Sequence, residues 1–254
     1  MRFADSLAAY RDRKIVEHYD RDSKLQDAEV RLFQQYLRDG MRVLDLGVGA
    51  GRTTRFLAPR ASSYVGVDVS EEMIKRCKSK YPALDFRVGD ASRLSEFADG
   101  SADLIVFSFN GLGTLPTDEQ RQACLSECAR ILSLDGTLVF SLHNSRFLVT
   151  PVILSDTDLA HGVWRILYSA FKTLVNLPYR FLAAAFWRGA GYLTDPALHG
   201  GLRIYVATPQ EVRRQLQTHG LSLVRAIPAP RTEVNWTALT PWYYYAARRA
   251  GHAA

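Results

Sequence analysis

The chain has 254 residues, 47% hydrophobic and 23% charged, which allows one sizeable core and excludes a disordered, collagen-like or disulfide-stapled protein. The net charge of +6 is uneven: residues 1–144 hold 20 basic against 21 acidic side chains, and residues 145–254 hold 12 against 5. That basic surplus fits a solvated surface, or attraction to an anionic acceptor or a lipid surface.

The predicted elements alternate. Lys24 to Arg38 has apolar residues at helical spacing and ends at Gly40. Met41 to Leu46 is a short apolar run before a glycine turn, as expected of a buried strand. A helix is expected from Ala50 to Ala58, a second strand at Ser63 to Val67, and a helix capped by Ser70 through Lys80. Glu71 and Glu72 stand in its first turn, where negative charge is favoured. Leu84 to Val88 and Ala102 to Phe109 read as strands three and four, Thr117 to Leu132 as a helix, and Asp135-Gly136 as the turn into strand five, Thr137 to Leu142. After an interruption between Asn144 and Leu202 come a helix at Pro209 to His219 and strands at Leu221 to Ile227 and Trp242 to Ala247. Strand and helix with short connections predict a parallel sheet covered on both faces.

Three cysteines, Cys77, Cys124 and Cys128, with no apolar leader after Met1, predict reduced thiols and a cytoplasmic location. Cys124 and Cys128 share an apolar stripe with Leu125 and Ile131 and read as core.

The glycine-rich run Asp45-Leu46-Gly47-Val48-Gly49-Ala50-Gly51-Arg52 falls where strand one ends, and open α/β sheets bind ligands outside those strand ends. A dinucleotide fingerprint needs a small residue at position 52, where Arg52 stands, and a pyrophosphate gains nothing from Asp45. S-adenosylmethionine (SAM) has no phosphate and carries an ammonium that Asp45 can serve, directly or through water. Asp68 ends strand two, where a carboxylate can take both ribose hydroxyls, and Asp90, after strand three, can accept from an adenine amino group. Three acceptors at three successive strand ends form an ordered set that a lone glycine loop would not.

Over residues 24–144 and 205–248 the chain resembles class I SAM-dependent methyltransferases. The resemblance implies a Rossmann-like, seven-stranded, mostly parallel sheet with a reversed C-terminal hairpin and a helical insertion after the fifth strand. It implies an N-terminal helical segment (1–40), a SAM-binding domain (41–144 and 202–254) and an insertion (145–201). Gly47, Gly49 and Gly51 would line the methionine, Asp68 with Val69 the ribose, Asp90 and Ala91 the adenine, and Met73 would pack on the adenine face. Phe109, Asn110 and Gly111 would lie beside the transferable methyl, and Tyr19 would close over the cofactor. Leu134 and Asp135 depart from the family's L-x-P-G-G turn. The product would be S-adenosylhomocysteine.

A sulfonium is already a good leaving group, so alignment and exclusion of water are the main requirements, and a base is needed only for a hydroxyl or a protonated amine. His143 and Asn144, directly after strand five, and Tyr205 are the candidates to hold or deprotonate the acceptor; equally, His143 can simply bond a nearby loop. Asn110-Gly111-Leu112-Gly113 lacks the Pro-Pro-aromatic signature of exocyclic-amine nucleic-acid methyltransferases, and no basic run is interleaved with aromatics, which disfavours nucleic acid. Asp158 to Asn176 fits an amphipathic helix, broken by Pro178 and continued by a more apolar helix from Tyr179 to Arg188 and a glycine-rich loop from Gly189 to Gly201. The insertion reads as a lid over a small or medium organic acceptor, anionic or amphipathic, taking the methyl on oxygen or nitrogen. Alternatively it is a membrane contact reaching a lipid-linked acceptor, a dimer interface, or plain core. A non-catalytic SAM-binding scaffold or sensor also fits. Asp156, Asp158 and His161 have a spacing that a metal site could use, but a loop carboxylate before a helix usually caps it, as Asp156 or Asp158 would here, and no metal is expected.

Overall fold

A computed structural model describes residues 24–148, 159–194, 203–230 and 236–250. Helix α1 (Asp27–Tyr36) precedes β1 (Met41–Leu46), α2 (Thr54–Leu57), β2 (Ala61–Asp68), α3 (Glu71–Lys80), β3 (Asp85–Val88) and β4 (Ala102–Phe107). Then come the short α4 (Gly111–Thr114), α5 (Asp118–Ile131) and β5 (Leu132–His143). The insertion supplies α6 (Leu159–Leu182), α7 (Ala184–Arg188) and β6 (Ala190–Thr194), followed by β7 (Arg203–Ala207), α8 (Pro209–Thr218), β8 (Leu221–Ala229) and β9 (Trp242–Arg249).

The strands order as β3-β2-β1-β4-β5-β7-β6, with β9 antiparallel to β5 and β8 antiparallel to β9. β1 to β5 run parallel, so their carboxyl ends share one edge. This is the expected Rossmann-like sheet with its reversed C-terminal pair, and two strands more than the seven expected. The addition is the antiparallel hairpin β6–β7. Beyond the end of β4, His143 bridges Val206, so β7 takes the place that β4 leaves beside β5.

Side-chain caps set the helix starts. Ser70 Oγ accepts from Met73 N, Thr117 Oγ1 from Gln120 N and Thr208 Oγ1 from Glu211 N. One face of the sheet packs Leu44, Ile105 and Phe140 against α5 and α8, the other packs Val43, Leu104 and Val139 against α1 and α3. Cys77, Cys124 and Cys128 are free thiols inside this core.

Three local expectations change. Pro178 lies inside α6, which runs on past it to Leu182. The stretch read as a glycine-rich loop contains β6, where Gly191 lets the backbone pass the Ala185 side chain, 3.2 Å from where a Cβ would stand. β5 begins at Leu132 and carries Asp135-Gly136 as an irregularity, with a register shift opposite Ala102 and Leu104, instead of starting after them.

Candidate active site

The cleft lies at the carboxyl ends of β1, β2, β3 and β4 and holds about 1150 Å³ of space, open at its mouth. Its floor is the loop after β1. Gly47 and Gly49 have φ of 59° and 55°, the left-handed region that favours glycine. A Cβ on Gly47 would stand 2.7 Å from the Phe107 ring, so the loop and the end of β4 can approach only without one. Gly111 meets the same ring, where a Cβ would overlap Phe107 Cε2.

The three acids sit as their strands place them. Asp45 is buried at the end of β1, where its Oδ2 accepts from Thr53 Oγ1 at 2.6 Å and from the Tyr64 hydroxyl at 2.7 Å. Burial pushes its carboxyl up to about 6, against the two hydroxyl donors and the Arg52 charge, which hold it down. Asp68 accepts from Gly49 N on Oδ2 and from Ser70 N on Oδ1, both at 2.9 Å. Burial raises it too, and the backbone donors oppose that rise. Asp68 therefore joins the first loop to the cap of α3 and keeps both oxygens in a fixed plane. Asp90 uses Oδ1 to take Ser92 N and Ser92 Oγ, both at 2.8 Å, closing the turn after β3.

Beneath the loop lies an ion pair for which the sequence offers only Arg52 as a departure from a fingerprint. Arg52 donates to both carboxylate oxygens of Glu29, at 2.7 Å and 2.6 Å, and Glu29 is wholly buried. Glu29 also caps its own helix, accepting from Gln26 N at 2.7 Å, and receives the Ser108 hydroxyl. The Arg52 guanidinium lies over the Phe109 ring at 4.8 Å. One carboxylate on α1 thus ties together the β1 loop and the segment after β4. That segment holds two consecutive non-glycine residues in the left-handed region, Phe109 (φ 54°) and Asn110 (φ 65°), which costs on the order of 1–3 kcal/mol each and persists only where the surroundings enforce it.

Among the residues expected to hold the cofactor, Asp45, Gly47, Gly49, Asp68, Val69, Met73, Asp90, Ala91, Phe109 and Gly111 line this one cleft. Gly51 and Asn110 are not among the described lining. Gly51 (φ 86°) faces away, where a Cβ would meet Tyr81 at 2.9 Å, and Asn110 turns its N–H to Ser141 Oγ at 2.7 Å. Tyr19, Asp156 and Asp158 lie outside the described residues. Arg52, Thr53, Phe107, Ser108, Leu115, Pro116 and Gln120 join the lining without having been singled out.

The three residues expected to handle the acceptor fall elsewhere. Asn144 donates through Nδ2 to the carbonyls of Thr237 and Thr240 and accepts Arg146 N, pinning the segment before β9. The Tyr205 hydroxyl accepts from Gln215 Nε2 at 2.5 Å, while the Arg121 guanidinium covers its ring at 3.8 Å. His143 is buried, with its ring edge-on to Trp242 at 6.0 Å. Strand ends deliver side chains alternately to the two faces of the sheet, so a position just after a strand does not by itself point into the cleft. The insertion reaches the cleft wall indirectly: the Tyr192 hydroxyl of β6 donates to the Leu115 carbonyl at 3.2 Å.

The donor set suits SAM. The described lining has three carboxylates and one cation, Arg52, already neutralised by Glu29, so a sulfonium and an ammonium are welcome and a pyrophosphate is not.

Comparison with known proteins agrees. Residues 43–136 match the model of a methyltransferase domain. A demethylmenaquinone methyltransferase from Beutenbergia cavernae is 40% identical over 102 residues, 40% of this chain and 40% of that protein's length. A putative methyltransferase, YqeM of Bacillus subtilis, is 25% identical over 219 residues, 82% of this chain and 84% of its own. The CcbJ methyltransferase from Streptomyces caelestis has the same fold, with a TM-score of 0.63 at 21% identity, covering 96% of this chain and 98% of its own. So has the 1,6-didemethyltoxoflavin-N1-methyltransferase of Burkholderia thailandensis, solved with S-adenosylhomocysteine, at a TM-score of 0.61 and 16% identity, covering 97% and 86%. Over residues 43–136 the chain thus matches a methyltransferase domain, and as a whole it shares the fold of SAM-dependent methyltransferases.

Proposed function

We propose that the protein transfers a methyl group from SAM to the oxygen or nitrogen of a small or medium-sized organic acceptor. The observation that carries this reading is the charge of the cleft: acids at three successive strand ends, with its cation locked away by Glu29. In this reading Asp68 takes the ribose hydroxyls, Asp90 and Ala91 the adenine, and Asp45 the ammonium. Bound SAM supplies an activated methyl on a positively charged sulfur. The chain's part is to hold that sulfur beside Phe107, Phe109 and Gly111 and to keep water out. Acceptor contacts are assigned to the far lining, where Leu115, Pro116 and the Phe107 ring offer apolar surface and Thr114 and Gln120 offer hydrogen bonds. An aromatic acceptor suits such a wall. Several relatives carry the name demethylmenaquinone methyltransferase, so phenolic rings of the hydroquinone kind, which offer an oxygen, are the first to try.

Incubation with methyl-labelled SAM and host-cell extract, followed by partition of the label, tests the reading. Label in the polar small-molecule fraction supports a soluble acceptor; label in the organic phase transfers the assignment to a lipid or lipid-linked one. Tight SAM binding with no transfer to any fraction replaces the enzyme by a SAM-binding scaffold or sensor.

A further inference from the structure

Hairpin β6–β7 adds no residue to the described cleft lining, which runs from Asp45 to Gln120, yet it touches the wall that the proposed reaction gives to the acceptor. That wall is weakly built by itself. α4 is a single turn, too short to be stable alone. Leu115, which ends it, is extended (φ −61°, ψ 127°), as suits a residue before proline, and Pro116 has no N–H to bond.

Support comes from the hairpin at two points. Gly113 lies so close to β7 that a Cβ would stand 2.8 Å from the Tyr205 carbonyl oxygen. Two residues on, the Leu115 carbonyl accepts from the Tyr192 hydroxyl at 3.2 Å. Tyr192 and Tyr205 are cross-strand partners, and their rings meet edge to face with 5.4 Å between centres. The Arg203 guanidinium lies over the Tyr192 ring at 4.5 Å. Tyr205 is fixed to the main core in turn: buried Arg121 covers its ring and donates to Gln215 Oε1 at 2.6 Å, and Gln215 Nε2 donates to its hydroxyl. Contacts thus run from the core through two packed tyrosines to the wall. Burial pushes the Tyr192 hydroxyl up to about 12, so it keeps its proton and remains a donor at neutral pH.

We propose that Tyr192 is a positioning residue for the acceptor: its hydroxyl holds Leu115 and Pro116 at the spacing from Phe107 that the acceptor needs, so the insertion selects the acceptor from behind the wall, without entering the cleft. The inference rests on the reading of Leu115, Pro116 and Gln120 as the acceptor side.

The test is Tyr192→Phe in the full-length protein, which keeps the ring and removes the hydroxyl. Hydrogen exchange followed by mass spectrometry, with S-adenosylhomocysteine bound, should show the amides from Leu112 to Thr117 exchanging about fivefold faster, as the loss of one neutral hydrogen bond implies. SAM affinity by isothermal titration should stay within about twofold. In transfer from methyl-labelled SAM to serial dilutions of host-cell extract, the half-saturating amount of extract should rise about fivefold and the plateau rate should stay within about twofold, the pattern of lost acceptor binding. Unchanged exchange at the wall overturns the inference. Faster exchange with an unchanged half-saturating amount overturns the role for the acceptor. A joint fall in SAM affinity, plateau rate and melting temperature makes Tyr192 merely structural and overturns the inference as well. A parent that binds SAM and labels no extract fraction brings down the proposed reaction itself, and with it any part in that reaction for Tyr192.

Discussion

The cofactor cleft and the insertion solve opposite problems with the same kinds of residue. Around the cleft, polar side chains are buried or half-buried and each is held by a near neighbour. Asp68 is fixed by Gly49 and Ser70, Asp90 by Ser92, and Arg52 by Glu29. Along α6 the large apolar side chains are the exposed ones, while Arg180 is turned inward. The first region is organised to keep one arrangement of charge before any ligand arrives, which is what a site needs when alignment is most of the catalysis. The second leaves apolar area to be covered by something outside the fold. A lesion in the first should therefore be felt in stability and cofactor affinity together, and a lesion in the second in neither.

The sharpest way to break that contrast is at the buried ion pair. Glu29→Ala leaves the Arg52 guanidinium inside the protein without its carboxylate and strips a cap from α1 and a partner from Ser108. Removing one member of a buried pair costs about 3–5 kcal/mol. In a chain of this length that should lower the melting temperature by about 10 °C. SAM affinity should fall as well, because Phe109 and the β1 loop lose their common anchor. Calorimetric melting and titration with SAM check both. A melt unchanged within a degree would mean that the pair does not organise the cleft.

Asp68→Ala comes next. It removes charge-assisted hydrogen bonds to the ribose and frees Gly49 N and Ser70 N, so SAM should bind about 10- to 100-fold more weakly, equivalent to roughly 1.5–3 kcal/mol. Isothermal titration decides the matter, and unchanged affinity would remove the ribose assignment.

These two residues also mark what the sequence makes legible. Asp45, Asp68 and Asp90 each follow a short apolar strand, and parallel strands bring their carboxyl ends to one edge, so local pattern and topology together are enough to collect them. The Glu29–Arg52 pair joins residues on different elements, and no periodicity couples them. Gly51 shows the opposite error. It shares the loop and the positive φ of Gly47 and Gly49, yet it serves packing on Tyr81 and Cys77, and spacing alone cannot tell a glycine needed by a ligand from one needed by a neighbouring helix. The α6 stripe was legible as a periodicity but not as a direction. An amphipathic pattern assigns its apolar face to the core by default, and here the core does not take it. Hairpin β6–β7 was hidden by glycines, which punctuate strands as readily as loops.

A smaller effect should appear in pH. Asp45 has a folded-state pKa raised from 3.8 to about 6, chiefly by burial. A carboxyl raised in this way favours the ligand-free fold most at pH below its unfolded value, and the contribution fades as pH rises through the folded one. The swing between pH 4 and pH 7 is on the order of 3 kcal/mol for this one group. Asp45→Asn keeps an oxygen for the Thr53 and Tyr64 hydroxyls and has no charge to desolvate. It should therefore melt higher than the parent at pH 7 to 8 in the absence of ligand, with the advantage disappearing near pH 4. SAM binding should move the other way. The parent should bind more weakly as pH falls through 6 and the carboxylate facing the ammonium is neutralised, whereas Asp45→Asn should bind weakly at every pH. Parallel melting and titration series separate these outcomes, and a parent affinity that is flat from pH 5 to 8 would detach Asp45 from the ammonium.

The least effect on rate is expected at His143. It is the last residue of β5, which makes it the natural candidate for a base on chain position alone, but it is buried edge-on against Trp242 and bridges Val206 at the junction of β5 and β7. A base must reach its proton within hydrogen-bond distance or through one water, and none of the described cleft lining is supplied by this residue. His143→Ala opens space at the junction and should cost about 2 kcal/mol of stability, in the range of core truncations. Turnover, measured below the lowered melting point with SAM saturating, should change less than threefold. A rate loss of a hundredfold or more with unchanged SAM affinity would return His143 to the reaction. It would also place the acceptor on the β5 side of the cleft, against the hairpin that the insertion adds, and so bring the two contrasting regions into one active site.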